Sequence, residues 1–191
     1  MNKENVTKEI LETIGNNHTK VEVKEEFKGN YYSYITDTIY IAKHLRKQKK
    51  QKDMKDIDED VAEMVVLSHE CVHSKQNKML HVLNTIFSNL SIVFTLFCIF
   101  ASIFSSVNVL LKGISIAILI TSIVIRLILE MGAIKGSIEV ANKYINSNET
   151  TKFLQEDIVK SEEYINKHKA FALLTMILDK IVFLIIVIFI K

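Results

Sequence analysis

The sequence predicts a mainly α-helical membrane protein, with a small N-terminal β-hairpin or sheet and a motif-bearing helix ahead of its apolar part. Three observations carry this. Apolar runs at 82–107, 109–129 and 170–190 are each long enough to cross about 30 Å of hydrocarbon. The 191 residues include no proline and only five glycines, which favours long unbroken helices. Charge is segregated: residues 1–80 and 130–169 are rich in it, whereas the run 82–107 has none.

Taken in order, Val6, Ile10, Leu11 and Ile14 have helical spacing, ended by Gly15-Asn16-Asn17. Residues 19–25 alternate like a strand. Residues 31–35 and 38–42 flank Thr36-Asp37 and predict a β-hairpin. Such a sheet either covers one side of the next helix or offers an edge to an extended peptide. The stretch 43–55 holds Lys43, Arg46, Lys47, Lys49, Lys50, Lys52 and Lys55 without interleaved aromatics. It has no nucleic-acid module and reads as a linker lying against anionic lipid. Asp58, Glu59 and Asp60 place acidic groups where a helix N-terminus wants them, so the next helix starts near Asp58.

The first two apolar runs are joined by 105–108 and predict a transmembrane hairpin, which brings residues 80 and 130 out on the same side. Basic residues fix that side. Seven lie in 43–55, Lys75 and Lys78 precede the first run, and six more lie in 130–169. The positive-inside rule then places 1–80 and 130–169 in the cytoplasm, of a multi-pass cell-membrane protein. The third run carries Asp179-Lys180 near its middle. The pair faces protein or water if the run spans, and otherwise the run is only partly inserted; a span is favoured. Residues 1–24 contain no apolar stretch of the signal-peptide kind. Cys71 and Cys98 are too far apart along helices to be bridged, which suits a cytoplasmic site. The expected organisation is a front end over 1–80, the hairpin over 81–129, a cytoplasmic helical segment over 130–169 and a last membrane helix over 170–191.

The chemistry lies in His69-Glu70-Cys71-Val72-His73, an H-E-x-x-H motif in a run without glycine or proline. On a helix, residues four apart share a face, so His69 and His73 can hold one metal ion. Glu70 then stands beside it, as the general base for a water. The apolar flank Met64-Val65-Val66-Leu67 implies a largely buried helix, whose histidines need partners.

A catalytic zinc site needs a third protein ligand. A third histidine on the pattern H-E-x-x-H-x-x-G-x-x-H is not available: Gln76 and Met79 stand at the glycine and histidine positions, and His81 is two residues off. A glutamate from another helix is the alternative. Glu130 is the first charged residue after the second run, and the small residues Ala133 and Ser137 share its helical face. Glu139 is the second choice, half a turn round.

With two apolar runs between His69-Glu70-Cys71-Val72-His73 and Glu130-Met131-Gly132-Ala133, the chain resembles integral-membrane zinc metallopeptidases of the gluzincin type. It is nearest to the small bacterial neutral zinc metallopeptidase membrane family, with its H-E-x-x-H and E-x-x-A motifs. Val72 stands where that family commonly has glycine, and the family's initial membrane helix is missing here. The resemblance implies a zincin-like front end and zinc held by His69, His73 and Glu130. It also implies Glu70 as base, and peptide-bond hydrolysis on a peptide or protein substrate. Tyr144, Tyr164 and His168 are candidate oxyanion donors. The rival expectation is an inactive zinc-binding membrane scaffold or adaptor.

Overall fold

The computed structural model describes residues 2–27, 29–43, 57–104, 106–148, 151 and 154–190; the basic stretch from 44 to 55 lies outside them. The described residues form five helices and three strands. They fall into two compact units, Met1–Gln76 with Gly132–Lys169, and Asn77–Met131 with Ala170–Lys191.

The first unit begins with α1 (Lys3–Thr13), capped by Asn2, whose side chain accepts from the Asn5 amide. Val6, Ile10 and Leu11 form its buried stripe. Gly15 ends it in the left-handed region (φ 72°), which lets the Asn16 amide reach back to the Leu11 carbonyl. Strands β1 (Lys20–Lys24), β2 (Tyr31–Ser33) and β3 (Thr38–Ala42) follow. The sheet order is β1-β3-β2. The expected hairpin is β2–β3, antiparallel, with Tyr32 opposite Ile39, and β1 pairs with β3 in parallel. Being central, β3 has Ile39 and Ile41 fully buried. Asp37 in the hairpin loop adopts φ 49°. Its carboxylate accepts from Thr19 Oγ1 at 3.0 Å and from Tyr32 Oη at 2.9 Å, tying the residue ahead of β1 and the middle of β2 to the hairpin loop. Burial, with Asp37 beside it, pushes the Tyr32 phenol up.

Helix α2 (Glu59–Lys75) starts where the acidic run predicts, with Asp58 as its cap accepting from the Asp60 amide. Val61, Met64, Val65, Leu67 and Cys71 pack it into a core shared with α1, Ile39, Ile41 and, from later in the chain, Ile138, Ala141, Ile145 and Ile158. The stretch Gly132–Lys169 therefore belongs to the same unit as the front end.

In the second unit, Asn77 caps α3 (Lys78–Phe104) and Asn108 caps α4 (Val109–Ser147). Ser88 Oγ meets Ser122 Oγ at 3.3 Å, and Cys98 Sγ meets Ser115 Oγ at 3.2 Å, so α3 and the first part of α4 run antiparallel. That register, carried to the open end, sets Leu80 level with Glu130, both within this unit. Helix α5 (Gln155–Phe189) is longer than the third apolar run and runs alongside α3. Lys180 Nζ reaches Ser91 Oγ at 3.3 Å, and Lys112 Nζ meets the Ile190 carbonyl. Helices α3, α4 and α5 are each long and apolar enough to cross a membrane. The pair in the third run is split: Lys180 is buried, whereas the Asp179 side chain is 60% exposed. Cys71 and Cys98 are both free and buried.

Tyr144 on α4 donates to Glu9 Oε2 on α1 at 2.6 Å, and burial together with that bond pushes its phenol up to about 12. A hydrogen bond to a charged group contributes about 1.5–3 kcal/mol, so Tyr144→Phe should lower the unfolding free energy of the full chain by that order. A raised phenol pKa stabilises the fold fully below the ordinary tyrosine value near 10, and that contribution is lost as pH rises through the folded value. Unfolding followed by circular dichroism should therefore show the variant's deficit at pH 8 and its disappearance above pH ~12.

Candidate metal centre

The motif occupies the last two turns of α2, ahead of the break at Gln76, where ψ becomes extended at 159°. His69 and His73 project from one face with ring centroids 4.7 Å apart and planes at 87°. Their Nε2 atoms lie 3.1 Å apart. Two nitrogens bound at 2.0–2.1 Å to one tetrahedral zinc stand roughly 3.3 Å apart, so the spacing fits a shared ion. His73 Nδ1 faces Gln76 Oε1 at 2.8 Å. A carbonyl oxygen there puts the ring proton on Nδ1 and leaves the Nε2 lone pair for a ligand.

Glu70, next to His69 on the helix, also reaches the sheet. Its Oε2 accepts the backbone N–H of Tyr32 at 2.8 Å. Tyr32 is at the centre of β2, an edge strand, so the edge amide next to the motif is already engaged by Glu70. At this position the sheet covers the helix. Cys71, between the histidines, is fully buried, with Sγ 3.9 Å from the Thr7 carbonyl, and burial pushes its thiol up, so it stays protonated and out of the ligand set.

Glu130 lies on α4, which continues without a break to Ser147. It is buried, and Arg126 Nε lies 3.1 Å from its Oε1, one turn earlier on the same helix. Ala133 and Ser137, which share its face, are buried too. Among the described residues, His69, His73 and Glu130 form a group able to hold a metal ion, their candidate ligand atoms lying within 4.8 Å of one another. Two imidazoles and a carboxylate are a donor set suited to zinc with one position left over. Glu139 is exposed on the other side of α4, and His81 is likewise outside the group. Of the candidate oxyanion donors, Tyr144 is bonded to Glu9, Tyr164 packs against the core, and His168 Nδ1 faces the Tyr164 carbonyl at 2.9 Å.

The sequence predicts close packing of these two helices through Ala133 and Ser137, but reasoning from it missed the two glycines of α4 that face α2. A methyl group at Gly136 would come 2.9 Å from Val72 Cγ1, and one at Gly132 would come 2.9 Å from Gln76 Nε2. Gly132 and Gly136 are four apart, the small-x-x-x-small spacing that lets two helices approach closely, and that spacing was the available signal.

Comparison of the chain with protein-family profiles, with curated proteins and with solved structures finds no match.

Val72 is β-branched and cannot swing clear of an added methyl. Gly136→Ala should therefore destabilise the full chain by about 1–3 kcal/mol, and adding Val72→Ala should recover most of the loss. Thermal unfolding of the two variants checks it.

Proposed function

We propose that this chain is a membrane-anchored zinc metallopeptidase of the gluzincin type, cleaving peptide bonds at the cytoplasmic face of the cell membrane. One observation carries the reading: the ligand atoms of His69, His73 and Glu130 lie within 4.8 Å of one another, beside a glutamate at the position of the base. Zinc, when bound, supplies the Lewis acidity that brings the pKa of a water near 7. The remaining roles belong to the chain. His69 and His73 present Nε2 from one helical face. Glu130 adds a carboxylate whose Oε1 is paired with Arg126. The Glu70 carboxylate takes the proton of the attacking water and hands it to the leaving amine. Tyr32 N–H, holding Oε2, fixes the plane of that carboxylate for both transfers.

Three apolar helices supply the anchor. The lysines of 43–55 and 130–169 argue for a cytoplasmic centre, with the end of α5 on the opposite side. The substrate class is a peptide or protein chain, and a membrane protein is accessible to a centre anchored in this way.

Glu70→Gln should keep the metal and lower cleavage of β-casein by about 10²–10⁴-fold, the range a general base contributes. Zinc content by elemental analysis and fragment yield by mass spectrometry, on the full chain in lipid nanodiscs, measure the two parts. Zinc without cleavage in the unmutated protein would leave the inactive scaffold; a zinc content near zero would leave only an adaptor. Chelation by 1,10-phenanthroline should abolish cleavage, and added zinc should restore it.

A further inference from the structure

We propose that Gln76 is a positioning residue of the metal centre, and that Gly132 is kept free of a side chain to leave room for its amide. The inference rests on the zinc-site reading and goes beyond it, since no H-E-x-x-H pattern assigns a role to this position.

Gln76 is the first residue past α2, and its backbone N–H still bonds back to the carbonyls of Val72 and His73. The main chain there is fixed by the helix end, and only the side chain has freedom to choose a partner. Its Oε1 takes His73 Nδ1 at 2.8 Å. This is the contact that sets which ring nitrogen keeps its lone pair, and it orients the ring about its own axis. The amide's other end is confined as well. Nε2 lies where a Cβ on Gly132 would stand 2.9 Å away. Thus one end of the amide grips the ligand while the other is seated against bare backbone of α4.

The two glycines of α4 then differ in purpose. Gly136 faces the branched, stiff Val72, so enlarging it strains the packing. Gly132 faces the tip of a long, flexible side chain, which can move aside at little cost to the fold. What moves aside is the group that holds His73. Enlarging Gly132 should accordingly spare stability and weaken the site, a combination that a purely structural glycine does not give. Gln76 grips the motif histidine next to the helix end, where fraying would otherwise loosen the ring.

The test compares the unmutated full chain in nanodiscs with Gln76→Leu, Gln76→Glu and Gly132→Ala. Zinc affinity is read by competition with a fluorescent chelator, and the histidine tautomer by ¹⁵N shifts of histidine-labelled, metal-free protein. Gln76→Leu should weaken zinc binding about 10–100-fold, the usual cost of losing an outer partner of a ligating histidine. It should also move the His73 signal away from the Nδ1-protonated form. Gln76→Glu, which keeps an acceptor oxygen, should restore both. Gly132→Ala should weaken binding while its melting temperature stays within a few degrees of the unmutated chain. Equal zinc affinity in Gln76→Leu and the unmutated chain, or an unchanged tautomer, overturns the role of Gln76. Gly132→Ala binding zinc like the unmutated chain overturns the role of Gly132. Failure of the unmutated chain itself to bind zinc instead defeats the metal-site reading, and this inference falls with it.

Discussion

At Gly136 the backbone of α4 comes so near α2 that an added methyl would lie 2.9 Å from Val72 Cγ1. Helices normally pack with axes about 8–10 Å apart, the distance being set by the side chains between them. Removing those side chains on one partner brings the other partner's polar groups to bare backbone. Here the partner is the motif turn of α2, so the contact that packs the helices also fixes Val72 and Gln76 on either side of His73. Where the resembling family commonly has its glycine inside the motif, this chain has valine there, and the small residues stand on the facing helix. A close approach needs space on one side only, and this arrangement leaves α2 a better helix former in its last turn.

Three polar groups of the centre are met by partners outside the ligand set. His73 has Gln76, Glu70 has the Tyr32 amide, and Glu130 has Arg126. Of the three, Glu130 is buried, and a buried charged group left without a partner costs about 1–3 kcal/mol or more. The Glu70 partner is itself anchored. Tyr32 donates its hydroxyl to Asp37, and Asp37 also accepts from Thr19, so a chain of bonds runs from the start of β1 through the hairpin loop to the motif. Asp37 is in the left-handed region (φ 49°), a conformation that aspartate tolerates better than most residues, and its two side-chain bonds hold it there. The small sheet thus acts as a rigid support for one carboxylate.

How much of this the sequence showed depends on the range of the interactions. The end of α1 at Gly15, the cap at Asp58 and the helical run through His69 and His73 are local, and local residues decide them. Glu130 was reachable because an apolar hairpin constrains topology strongly: two spans of similar length must return the chain to its starting level. The parallel pairing of β1 with β3 was not legible, because nothing in the alternation of 19–25 says which neighbour a strand chooses. Neither was the continuity of α4 and α5 beyond their apolar runs, since a change from apolar to charged composition marks a change of surroundings and not the end of a helix. Gln76 was read only as a misfit to a longer histidine pattern. Its use comes from a hydrogen bond three residues back and from a glycine fifty-six residues on, and only the second of these leaves a trace in the sequence, as the spacing of Gly132 and Gly136.

The same distinction explains Asp179 and Lys180. Adjacent residues on a helix project about 100° apart, so one helix cannot turn both inward. Composition says only that the pair is expensive in an apolar setting. The choice is made by α3 and α4, which line the inside of the second unit with Ser91, Thr95, Ser115 and Ser122, all buried. Lysine's long stem can cross the apolar layer and bring its ammonium to Ser91 at 3.3 Å, whereas the shorter aspartate could not reach that hydroxyl from the same turn. Turning Lys180 inward sets the rotation of α5 about its own axis within this unit, and Asp179 is left outward, 3.5 Å from the lysine it accompanies. A residue pair that looks like a flaw in an apolar run is thereby what fixes the orientation of the helix carrying it.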